Sequence, residues 1–251
     1  MPFTFSHPAV ILPLTYLPRR WFSLTGLVIG SLTPDFEYFL RMRLQSRYSH
    51  TTAGLFWFDL PLGLVLAFLF HNQVRNSLFD NLPPFFKSRF QAFRQFNWNS
   101  YFIKHIWIVA VSILVGAASH LLWDSFTHKT GYFVRTLPAL AGSVELSGIQ
   151  LPIFKLLQHI STIIGGVVIA FVIYKLPVDN RVTGSINLTY WAVVFMLAMA
   201  AFLIRYFNGP DLKASGNLIA AGISAVLMGL ILTPWIVKPN RRSHMPQPID
   251  F

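Results

Sequence analysis

Five apolar stretches, at about 53–71, 103–126, 153–175, 188–207 and 217–237, constrain this chain more than anything else in it. As helices, each comes close to the roughly 20 residues that cross a hydrocarbon core. Two earlier stretches, 9–17 and 22–40, are also apolar, but Pro13, Pro18, Arg19, Arg20 and Pro34 interrupt them. They read as two short or broken membrane helices with a turn at Pro18–Arg20. Irregular backbone at membrane depth is tolerated where protein surrounds it. The expected fold is all-α: a multi-pass transmembrane helical bundle of about seven membrane segments.

Composition agrees. The chain is 54% hydrophobic and 12% charged, about half the charged fraction of a soluble domain. Its net charge of +11 points to loops facing anionic lipid, not to nucleic acid. Alternating sides from Arg19 and Arg20 places the N-terminus outside and the C-terminus in the cytoplasm. The start of the chain lacks a basic n-region, so the first segment is expected to be retained. Residues 1–176 hold nearly all the chemistry, 177–237 read as two scaffold helices, and 238–251 as a loose polar tail. Between Pro83 and Trp98, five Phe alternate with Lys87, Arg89 and Arg94, a pattern that suits an amphipathic helix on a lipid surface.

Against this apolar background the ionisable residues stand out. His120, Asp124 and His128 recur every four residues, so a helix projects them from one face. Such groups inside a membrane are costly and usually functional. With the expected topology, His7, Asp35, Glu37, His50, Asp59 and His159 fall at the same end of the bundle. There is no cysteine, so a metal would take His, Asp, Glu or water as ligands. The expected metal ligands are His7, Asp35, His50, His120, Asp124 and His159. Asp59, Glu37 and His128 are the candidates for catalysis or for orienting the ligands. Arg41, Arg43, Arg47 and Arg135 lie near the same end and would suit an anionic substrate. His71 and His105 belong to the opposite face, and His244 to the tail. The same cluster would also serve as a structural hydrogen-bond network, or as a station for a proton or cation in transit.

The motifs that carry these residues are Pro2–Pro8, Gly30–Phe36, Ser49–His50 with Phe58–Gly63, Ser119–His128 and Leu157–Thr162. In this order they closely resemble an uncharacterised bacterial membrane family, domain of unknown function 4184, most distinctively up to about residue 176. A more distant resemblance joins His7, Pro34-Asp35 and His120 with Asp124 to inner-membrane metal-dependent hydrolases. The zinc-dependent bacterial phospholipase C family has a comparable order of His and Asp, but this chain has more hydrophobic helices and different motif spacing. Chemistry and resemblance together imply a divalent ion, zinc first, with manganese or iron as alternatives. They imply a hydrolase of the inner membrane acting on a lipid or membrane-associated ester. The rival readings are an ion- or proton-coupled transporter and a non-enzymatic scaffold.

Overall fold

The computed structural model describes residues 3–146, 148–181, 186–209 and 214–237. The tail at 238–251, with His244, lies outside the described residues. The chain is a helical bundle. Among the described residues, five helices are long and apolar enough to cross a membrane: α2 Leu55–Asn81, α3 Trp98–Thr127, α4 Ile153–Lys175, α5 Leu188–Asn208 and α6 Ser215–Ile236. They are preceded by α1, Leu24–Arg41.

Several of these helices begin where a side chain takes an amide that the first turn leaves free. Ser23 accepts from Gly26 N, Asn97 from Ser100 N, and Asn187 from Tyr190 N. The central stretch of α2, Leu60–Leu69, is regular and is flanked by two wider π-type stretches, Leu55–Asp59 and Phe70–Val74.

The expected count of seven segments is not reproduced. The first stretch is a string of short turns, including Thr4–Ser6, Pro8–Ile11 and Leu12–Tyr16. The second, expected to be short or broken, is one continuous helix, α1, that runs straight through Pro34. Proline removes the amide that would bond the Gly30 carbonyl. The Thr33 hydroxyl replaces it, donating to Gly30 O at 2.8 Å. One small element departs from the all-helical expectation. Strands β1 Ser143–Leu146 and β2 Ile149–Pro152 pair antiparallel, and Gly148 at φ 79° serves the turn. The helix expected between Pro83 and Trp98 is shorter, Pro84–Phe90, with Phe85 and Phe86 exposed and the Arg89 guanidinium 3.9 Å from the Phe85 ring centroid.

Helices α1 and α3 pack backbone to backbone. A Cβ on Gly30 would collide with the Ile113 carbonyl, and one on Gly116 with the Leu27 carbonyl and with Ser31 N. Small residues at such a crossing let two apolar helices approach where no hydrophobic effect drives them together. Ser112 adds a bond across it, accepting from Ser23 N at 2.8 Å.

Contacts between sequence-distant ends order the bundle from end to end. At one end, Asp179 N donates to Ser88 O and Trp191 Nε1 to Asn81 O. At the other, Leu44 N donates to Asn217 Oδ1. Each contact joins ends that five alternating spans place on the same side. Helix α1 lies alongside them, with Thr25 bonded to His71 near its start and Asp35 and Glu37 near its end.

Candidate metal centre

Helix α1 delivers Asp35, and α3 delivers His120 and Asp124 from the facing side of the glycine crossing. The loop after α1 delivers His50. It leaves the helix through Met42 at φ 51° and folds back over the helix end. Glu37 pins it, accepting from Arg47 N, Tyr48 N and Ser49 N at 2.9–3.0 Å, from Arg41 Nε at 2.9 Å and from Ser46 Oγ at 3.2 Å.

Four ligand-type atoms converge. His120 Nε2 lies 3.4 Å from both Asp35 Oδ1 and Asp124 Oδ2, and His50 Nε2 lies 3.5 Å from the same two oxygens. All four atoms are buried, and none has a hydrogen-bond partner. The separations are too long for direct hydrogen bonds and of the length that a shared ion would give. A charge-assisted hydrogen bond between these groups would be about 2.7–2.9 Å. A tetrahedral ion about 2.0–2.1 Å from each ligand spaces neighbouring ligand atoms by about 3.3–3.4 Å. Octahedral bonds of about 2.0–2.1 Å, as magnesium makes, would space adjacent ligands by only about 2.8–3.0 Å, whereas the longer bonds of calcium, about 2.3–2.6 Å, would give about 3.3–3.7 Å. Four of the six edges match the tetrahedron, and one ligand atom from each residue falls within 4.8 Å of the others.

The outer faces of the same side chains fix their chemistry. His120 Nδ1 lies 2.8 Å from the Ser31 carbonyl, which can only accept. The ring proton therefore sits on Nδ1, and Nε2 turns a lone pair into the cluster. The Ser49 hydroxyl donates to Pro34 O at 2.6 Å, so toward His50 Nδ1 at 3.0 Å it must accept. That fixes the same tautomer on His50. Asp35 Oδ2 accepts from Thr4 Oγ1 at 2.6 Å. Two imidazole lone pairs thus face two carboxylate oxygens in a buried space, an arrangement that repels itself unless a cation or a proton lies between. Burial lowers the pKa of His50, but the facing Asp124 and Asp35 carboxylates outweigh burial and raise it above the ordinary imidazole value.

Beside this group lie three more candidates. His7 is 2% exposed and its ring stacks on His120 with centroids 3.7 Å apart. Its Nε2 is 3.7 Å from Asp124 Oδ1, and neither ring nitrogen has a hydrogen-bond partner. His128 Nδ1 is 3.5 Å from the same oxygen and 3.1 Å from the Asp124 carbonyl. Asp59, at the end of the π-type stretch that opens α2, is fully buried with both carboxylate oxygens unpartnered. It lies in electrostatic range of His50 and His120.

Two expected residues are not brought into the group. His159 is exposed on α4 and lies outside the four-residue cluster, because the side of α4 packed on the chain's N-terminal segment is the one carrying Thr162 and Gly165. Glu37, expected as a base or an orienter, is saturated with donors, which leaves it the orienting role alone. The basic rim is thinner than expected: Arg41 is paired with Glu37 at 2.7 Å, while Arg47 and Arg135 are exposed. At the far end, as expected, His71 is buried and stacked on Trp98 with centroids 4.7 Å apart. The residues that sequence reasoning missed are Thr4, Ser31, Ser46 and Ser49. Their signal was only their nearness in sequence to His7, Asp35 and His50.

Comparison with curated proteins and with solved structures gave no match. A family model described as domain of unknown function, DUF4184, matches residues 1–235 and so takes in every residue of the centre, the glycine crossing and all but the final residue of the last helix, and the chain belongs to that family.

Proposed function

We propose that this protein is a metal-dependent hydrolase of the bacterial inner membrane, holding zinc on Asp35, His50, His120 and Asp124 and cleaving a lipid or membrane-associated ester. The observation that carries this reading is the set of four buried, unpartnered ligand atoms with four of their separations at 3.4–3.5 Å. Two imidazoles and two carboxylates suit zinc, with manganese or iron as alternatives. A bound divalent ion supplies Lewis acidity toward an ester or phosphoryl oxygen. The protein supplies the rest. Ser31, Ser49 and Thr4 hold the ligand atoms in their acceptor states. Asp59, buried, without a hydrogen-bond partner and in electrostatic range of His50 and His120, is our candidate to take a proton from an attacking water. Access is from the side where His50 and His128 are exposed by 21% and 27%, since Asp35 and His120 are sealed.

The test begins with metal analysis of protein purified in detergent without added metal. Zinc should be retained, and His120→Ala combined with Asp124→Ala should remove it. Fluorogenic phosphodiester and carboxylester lipids in mixed micelles should then be cleaved by the wild type, and at least 100-fold more slowly by Asp59→Asn. Metal content that the double variant leaves unchanged would sink the proposal. Zinc uptake into proteoliposomes without hydrolysis would replace it with transport.

A further inference from the structure

Asp124 faces two ways. Its Oδ2 belongs to the four-atom group, whereas Oδ1 points away from it, toward His7 Nε2 at 3.7 Å and His128 Nδ1 at 3.5 Å. Both Oδ1 and His7 Nε2 are buried and unpartnered. A histidine that is 2% exposed, with neither nitrogen bonded, needs an explanation, because burying an unsatisfied polar group costs about 1–3 kcal/mol.

The stacking of His7 on His120 supplies a measure. The rings are within 13° of parallel, with centroids 3.7 Å apart. Ions lying in the two ring planes, one on each Nε2, would be separated by about the ring spacing. Centres that use two ions to clamp an ester or phosphate keep them about 3.5–4 Å apart.

We propose that His7 Nε2, Asp124 Oδ1 and His128 Nδ1 form a second divalent-cation site, with Asp124 bridging the two ions. This rests on the hydrolase reading above and deepens it. The first site has four protein ligands and would take up a substrate oxygen only by expanding its shell. The second has three and keeps an open position, as catalytic sites do. It also lies on the accessible side, because His128 is the most exposed of the ligands. For His128 to bind through Nδ1, its ring proton sits on Nε2 and the contact with the Asp124 carbonyl is given up. Both ions would then face the ester oxygen, the second through its open position, with Asp124 holding the pair together.

The experiment is metal stoichiometry on the full chain in detergent, after dialysis against zinc, together with electron paramagnetic resonance of manganese-loaded protein. Wild type should hold two ions per chain and show a spin-coupled pair. His128→Ala, at the least buried ligand, should hold one and show an isolated ion, and His7→Ala should do the same. One ion per chain in wild type, unchanged in His128→Ala, would overturn the second site and leave the first standing. No ion in wild type would overturn both. Two ions retained in both variants would place the second ion elsewhere and overturn the proposal.

Discussion

At the scale of single residues, the centre depends on side chains that never touch the metal. Thr4 gives Asp35 its one hydrogen bond to Oδ2, and that bond turns Oδ1 inward. Outer contacts of this kind are typically worth about 10–100-fold in metal affinity. Thr4→Val keeps the shape and removes the donor, so zinc affinity measured against a chromophoric chelator should fall by about tenfold. An unchanged affinity would mean that the helix alone aims Asp35. Protons set a second residue-scale expectation. The two carboxylates facing His50 raise its pKa above the ordinary value of about 6.5. Metal must displace that proton, so affinity should rise with pH and keep rising through pH 7, above the ordinary imidazole midpoint. Competition titrations at pH 6.5 and 8 test this, and equal affinities would count against His50 as a ligand. The candidate ligands were legible in the sequence because ionisable residues are rare in so apolar a chain. Their supports were not, because Ser and Thr are common in membrane helices and nothing in a linear sequence says which hydroxyl faces inward.

At the scale of elements, the crossing of α1 and α3 sets the distance between Asp35 and His120, and glycine sets the crossing. A methyl group on Gly116 would meet Ser31 N at 2.7 Å and the Leu27 carbonyl closer still. Ser31 is also the residue whose carbonyl holds His120. Gly116→Ala should therefore cost about 1–3 kcal/mol, as overpacking does, and should lower zinc content as well as the thermal midpoint in detergent. Gly166 on α4 makes a matched control: nothing lies within 4 Å of where its Cβ would be. Gly166→Ala should be neutral or slightly stabilising, since alanine is the better helix former. Equal effects at the two positions would mean that helix propensity, not the close approach, is being measured. The long helices were legible from apolarity almost to their ends. The continuity of α1 was not, because Pro34 signals a break unless Thr33 is known to take over the Gly30 carbonyl. Nor was the exposure of His159, which depends on how α4 is rotated against the N-terminal segment.

At the scale of the whole molecule, the five spans fix which loops share a side. Arg47 precedes α2, Phe86 follows it, Leu146 follows α3 and Arg181 follows α4. Alternation then groups Arg47 with Leu146, and Phe86 with Arg181. The fold supports the second grouping independently through the bond from Asp179 N to Ser88 O. The chain has no cysteine, so single cysteines introduced at these four exposed positions report topology without background. With a membrane-impermeant maleimide on intact spheroplasts, Arg47→Cys and Leu146→Cys should label together, and Phe86→Cys and Arg181→Cys only after permeabilisation. The direction follows from charge: Lys87, Arg89 and Arg94 lie on the side of Phe86, and basic loops stay in the cytoplasm. That result would place the metal centre, which shares its end of the bundle with Arg47, at the outer face, so an impermeable chelator should strip the metal from intact spheroplasts. The reverse pattern would move the centre to the cytoplasmic face without altering its geometry. Labelling that separates Arg47 from Leu146 would break the five-span order itself, and with it the arrangement that brings Asp35, His50 and His120 together.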